Sequence, residues 1–123
     1  MFIGTGGFLG ANARYILSAW IGGQVEILTS HKFPFGTVFV NVIGSFLLAI
    51  FTVWVGRQVN WSENARLLVT TGFFGAFTTF STYANESIGL IRSGNWSTGI
   101  GNILLTNALC LIGVILGLWI ANR

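Results

Sequence analysis

The sequence predicts an all-α integral membrane protein: four transmembrane helices in a single domain over residues 1–123, the third helix broken near its middle. Three observations carry this reading. Only 7% of residues are charged and 53% are hydrophobic, where a soluble domain carries about a quarter charged residues. Such a chain cannot keep a folded surface in water. The apolar character, with a mean hydropathy of +0.75, runs the whole length, which makes an N-terminal signal peptide a poor reading of the first segment. Finally, Trp20, Trp54, Trp61, Trp96 and Trp119 each fall near the end of an apolar segment. Amphipathic rings prefer that headgroup level.

The spans are placed at approximately 3–24, 34–55, 65–91 and 98–121. The first is glycine-rich, and Gly6 and Gly10 share a helix face that lets another backbone approach closely. Arg14 lies well inside it. Charge there is costly, so Arg14 is expected to face protein or water and to bond backbone carbonyls at a helix break. Gln24 to Pro34 reads as a polar loop with Glu26, His31 and Lys32, and His31 as a solvated residue rather than a ligand. Pro34 suits the first turn of the second helix.

The second span has no charge. Thr37, Asn41 and Ser45 recur every four residues along one face, with Gly44 beside them. A short connection follows, in which Asn60 and Glu63 have capping-box spacing. The third span holds Gly72-Phe73-Phe74-Gly75-Ala76-Phe77-Thr78-Thr79-Phe80-Ser81-Thr82-Tyr83, dense in glycine, hydroxyls and rings. Its glycines and Thr-Thr pair place a helix break at 75–79, and broken helices at membrane depth line cavities or ion sites. A packing seam is the bland alternative. The fourth span is uncharged and carries Asn102, Thr106, Cys110, Gly113 and Gly117 on one face.

With four spans both termini lie on one side, with Arg57, Arg66 and Arg123; Lys32 and Arg92 lie on the other. So small a bias permits insertion both ways. Oppositely inserted copies could then pair as an antiparallel dual-topology homodimer, burying polar faces that lipid would penalise.

The polar faces hold hydroxyls, a carboxamide and ring edges, and Glu86 towards a helix end is the only acidic candidate. Donors such as Asn41, Thr37, Ser81 and Thr82, with electropositive ring edges, suit an anion. No Ser-His-acid set, metal-ligand spacing or phosphate loop suggests an enzyme. The six basic residues form no stripe for nucleic acid, and the lone Cys110 allows no internal disulfide.

The run GFFGAFTTFSTY followed by Glu86, the run GGFLGANARY at 6–15 and the run GTVFVNVIGSF at 36–46 resemble, in order, motifs of the Fluc fluoride channels, also called the CrcB family. The resemblance covers essentially the whole chain. It implies a dual-topology antiparallel homodimer in the plasma (inner) membrane of a microbe, with two pores letting fluoride leave passively. It also implies a structural Na+ at the dimer centre, held by the backbone carbonyls of Gly75 and Thr78. Asn41, Phe80, Tyr83, Ser81 and Thr82 match the pore positions, with Thr37 and Thr106 on the same polar faces. Arg14 and Glu86 match a structural and a vestibule position. Tyr83 stands where the family usually has phenylalanine, and its hydroxyl is expected to slow conduction or change the ladder of ion sites. Cys110 and Val114 are weak or absent donors on the fourth helix.

Two alternatives stand beside this. A small multidrug-resistance-type cation/proton exporter needs a carboxylate deep in its first helix, where this chain has Arg14. A non-transporting membrane scaffold accounts for the glycines but not for the hydroxyls and rings.

Overall fold

Apolar segments without water must close their backbone hydrogen bonds internally, and helices do this within one segment. The computed structural model describes residues 1–29, 32–58 and 60–123, and among them it is helical with no strand. Helix α1 is Phe2–Thr29 and α2 is Phe35–Arg57. Helix α3 covers residues 63–77 and is composite: an α turn Glu63–Arg66, a π-helical segment Leu67–Phe74 and a last α turn Gly75–Phe77. Helix α4 is Phe80–Arg92 and α5 is Trp96–Ala121. Helices α2 and α5 are long and apolar enough to cross a membrane. With the composition of the chain, they make this a multi-pass membrane protein.

Three boundaries differ from the sequence reading. Residues Gln24 to Thr29, expected in a loop, continue α1. Val25, Glu26, Ile27 and Leu28 contain no breaker, and Pro34 is the first residue that forces the preceding backbone out of helix. At about 1.5 Å per residue α1 is roughly 42 Å long, more than the ~30 Å hydrocarbon core. His31 lies outside the described residues. The cap of α3 is Ser62, whose side chain accepts from the Ala65 amide at 3.2 Å, so the Asn60–Glu63 capping box does not form. A serine immediately before the helix reaches that orphan amide, while Asn60 sits too far upstream. Pro34 stands just outside α2 and opens it by accepting from the Val38 amide at 3.1 Å.

Glycines bring the backbones together. Gly6 and Gly10 of α1 are buried against the π-helical part of α3. A Cβ on Gly6 would overlap the Leu68 carbonyl oxygen, and one on Gly10 the Phe73 carbonyl oxygen. On the other side α5 lies along α2, where a Cβ on Gly117 would stand 2.6 Å from the Phe46 carbonyl oxygen. Between these pairs sit buried Val40, Phe74 and Phe77.

The ends are fastened by polar and aromatic contacts. Arg57, closing α2, donates to the Ala121 carbonyl at 2.7 Å and to Asn122 Oδ1 at 2.8 Å. That satisfies orphan groups at the end of α5. Near the same end Phe51, Trp54 and Trp61 cluster, with ring centroids 5.5–5.7 Å apart. Helix α4 ends in a Schellman motif: Gly94 has φ +88°, its amide bonds Ile91 O at 3.1 Å, and the Asn95 amide bonds Leu90 O at 3.0 Å.

The close α1–α3 approach predicts a sharp contrast among glycines. Gly10→Val should cost about 3 kcal/mol, because a backbone carbonyl cannot yield as a side chain can. Gly101→Val meets nothing within 4 Å in the chain and should cost far less. Thermal unfolding in detergent measures the difference, and equal stability of the two variants would refute this packing.

Candidate functional site

The helical path stops at Thr78 and Thr79, whose backbones are extended (φ −85°, ψ 157° and φ −150°, ψ 109°). The break expected at 75–79 is therefore real. Gly75 itself is right-handed helical, with φ −62° and ψ −35°, so the turn does not depend on its freedom.

A break at this depth frees backbone groups that have no water to serve them. Asn41 from α2 takes two of them. Its Oδ1 accepts the Thr79 amide at 2.7 Å and its Nδ2 donates to the Thr79 carbonyl at 3.1 Å. The Thr79 amide consequently does not return to the Gly75 carbonyl four residues earlier. Arg14 from α1 donates through Nε to the Ala76 carbonyl at 3.0 Å, the carbonyl-binding role expected of it. Thr79 then starts α4: its Oγ1 caps the Thr82 amide at 3.3 Å and donates to Thr82 Oγ1 at 2.9 Å.

Beside the break lies a cavity of about 210 Å³ lined by Asn41, Ser45, Phe80, Tyr83, Thr106 and Asn107, with Thr78, Thr79 and Cys110 completing the wall. Helices α2, α4 and α5 all contribute. Asn41 and Tyr83 are each 7% exposed, whereas Phe80 is 77% exposed and its ring leans against Tyr83 at 5.5 Å between centroids. Ser81 is exposed and Thr82 half-buried. The polar face of α2 continues to Thr37, one turn from Asn41, which opens on a second cavity of about 230 Å³. There the Thr37 hydroxyl donates to Glu86 Oε1 at 2.8 Å. Glu86 Oε2 is buried with no hydrogen-bond partner among the described residues. The structure thus gathers Asn41, Phe80, Tyr83 and Thr106 around one cavity and sets Thr37 with Glu86 at the next. Ser81 lines neither.

Several of these hydroxyls already have their protons committed. A buried chain runs from Thr106 Oγ1 to Asn102 Oδ1 at 3.1 Å, from Asn102 Nδ2 to Ser87 Oγ at 2.9 Å, and from Ser87 Oγ to the Tyr83 carbonyl at 2.8 Å. Thr37 is engaged by Glu86 in the same way. What the cavity offers an incoming species is the second N–H of Asn41, the hydroxyls of Ser45 and Tyr83, and the edges of the Phe80 and Tyr83 rings. Those groups are hydrogen-bond donors or positive ring edges, and no carboxylate lines the cavity. The arrangement receives an anion.

Sequence reasoning missed Asn107. Its Nδ2 lies 2.7 Å from the Tyr83 hydroxyl oxygen and 2.7 Å from the Ile103 carbonyl oxygen. The available signal was a carboxamide in an apolar helix, next to Thr106 but off the face that Thr106 shares with Asn102.

Comparison with known proteins gives the same direction. The sequence model for "CrcB-like protein, Camphor Resistance (CrcB)" matches residues 1–118. A protein of Koribacter versatilis named fluoride-specific ion channel FluC is 42% identical over 115 residues, covering 94% of this chain and 88% of that relative. Proteins of the same name from Sorangium cellulosum and Shewanella sediminis are 41% identical over 122 residues and 44% over 118. These cover 99% and 95% of this chain, and 93% and 90% of the relatives. Matched along nearly its full length and in every helix that builds the cavity, the chain belongs to the CrcB-like family.

Proposed function

We propose that the protein is a fluoride channel that lets fluoride leave a microbial cell passively across its inner membrane. The observation that carries the proposal is the donor-lined, carboxylate-free cavity at the break of α3, in a chain whose relatives are named for fluoride. Fluoride is small and strongly hydrated, so a pore must replace its water with close donors yet hold it loosely enough to release it. The polar face of α2 supplies a path from the Thr37–Glu86 opening to Asn41 and Ser45. Ring edges of Phe80 and Tyr83 add weak positive contacts in a low dielectric. Nothing is transformed in this passage; the protein is a conduit rather than an enzyme.

The working unit is an antiparallel homodimer with two pores, its subunits inserted in opposite senses. Helix α1 and the broken α3–α4 pair cross the membrane with α2 and α5. The support is twofold. Basic residues divide almost evenly between the two sides, as counted above. One chain alone also leaves Gly75, Phe80, Ser81 and Asn107 exposed, a face that lipid would penalise and a second copy would cover.

The fit to Na+ rests on the donor chemistry at the break. The Gly75 carbonyl has lost the Thr79 amide to Asn41, and Thr78 lies in extended backbone. Neutral backbone oxygens are hard donors suited to Na+. Two per chain make half a site, and an antiparallel partner would supply the rest. When bound, the ion would offset part of the field penalty for nearby anions.

Three outcomes follow. Asn41→Asp places a carboxylate in the path; at about 4 Å and an intermediate dielectric, like charges repel by roughly 4 kcal/mol. Fluoride flux from liposomes at alkaline pH should fall about a thousandfold. Normal flux with an intact dimer would reduce Asn41 to a backbone clamp. Separately, an added Cβ at Gly75 meets nothing within 4 Å in its own chain. Gly75→Val should therefore fold but lose dimerisation and any Na+-dependent gain in thermal stability, and Thr78→Val should lose less; equal tolerance counts against the metal. As to topology, with Cys110→Ser, single cysteines at Lys32 and at Asn60 should both label from outside intact cells. Labelling at only one would sink the dual insertion.

A further inference from the structure

We infer that the Tyr83 hydroxyl is an anion-binding donor in the cavity, and that Asn107 is the positioning residue that turns its proton toward the ion. The inference rests on the channel reading above and assigns a specificity-determining pair to it. It begins with the direction of the hydrogen bonds. Asn107 Nδ2 is 2.7 Å from the Ile103 carbonyl oxygen, a group that can only accept. That contact fixes which end of the carboxamide is the NH2. The second N–H of the same nitrogen then points at the Tyr83 hydroxyl oxygen, also at 2.7 Å. Tyr83 is thereby the acceptor in this pair, and its own proton is left to donate elsewhere.

The surroundings decide where that proton goes. Tyr83 is 7% exposed, so bulk water does not take it. Both Tyr83 and Asn107 line the cavity at the break. The neighbouring oxygens there are already supplied: the Thr79 carbonyl by Asn41, Asn102 Oδ1 by Thr106 and the Tyr83 carbonyl by Ser87. An unpaired donor in a low-dielectric cavity is costly when empty and strong when it meets an anion. Accepting a bond from Asn107 also polarises the phenol and makes its O–H a better donor. A phenylalanine would offer the anion only a ring edge. The tyrosine adds one charge-assisted hydrogen bond, so the cavity should bind fluoride more tightly and release it more slowly.

The test measures fluoride flux from liposomes against fluoride concentration, for the wild type, Tyr83→Phe, Asn107→Leu and the double variant. Tyr83→Phe should raise the half-saturating concentration about tenfold or more, with maximal flux steady or higher. Asn107→Leu should move the half-saturation part of the way in the same direction. The double variant should match Tyr83→Phe alone, because Asn107 acts only through the phenol. A role in packing alone would lower thermal stability or maximal flux and leave half-saturation in place. Wild-type half-saturation in either single variant, or additive shifts in the double, overturns the inference while the channel reading stands. Absence of fluoride flux in the wild type overturns both.

Discussion

A helix that breaks inside a membrane must find partners for the amides and carbonyls it frees, and this need organises the molecule. Asn41 meets it at Thr79 with both ends of one carboxamide, and Arg14 meets it at Ala76 with a guanidinium. Each comes from a different helix. The break is therefore the point where α1 and α2 are both held to the third span. Because Asn41 diverts the Thr79 amide, the Gly75 carbonyl is released in the same stroke. Order at one backbone group creates availability at another, and a site for an ion grows out of the way the fold is satisfied.

The packing serves that geometry. Arg14 reaches Ala76 because α1 runs against α3 at backbone contact, over Gly6, Gly10 and Gly72. Helix association in lipid draws on close van der Waals contact rather than on a hydrophobic force. The tightest contacts are thus where the polar bonds need them. Across the bundle Gly44 lies under Phe77, where a Cβ would stand 3.0 Å from the ring and 2.5 Å from Thr78 Cγ2. Small residues on two helices press on the break from both sides.

Much of this is legible in the sequence. A buried arginine, an asparagine on a four-residue polar repeat and a Gly/Thr-rich stretch in an apolar span each violate what lipid prefers, and such violations mark function. The Gly6–Gly10 and Gly113–Gly117 spacings likewise foretell close approach, which the packing bears out. What was not legible depends on neighbours far along the chain. Asn107 pairs with Tyr83 only because α4 and α5 lie side by side. Proton direction at Thr37 and Thr106 is set by Glu86 and Asn102, each on another turn or helix. The extension of α1 to Thr29 and the cap at Ser62 are choices between nearby residues of similar propensity, which pattern alone leaves open.

The π-helical segment Leu67–Phe74 has a further consequence, for chain length. A π turn carries more residues than an α turn over the same stretch of axis, and such segments are rare beyond a single turn. Shortening this segment by one residue and letting it relax to α-helix would turn everything after it by about 100° relative to α1. Phe74 and Phe77 would swing out of the core, and the carbonyl of Ala76 away from Arg14. Deletions are thereby set apart from substitutions: a side chain along 67–74 can change while its backbone position holds, but a missing residue rephases the whole break.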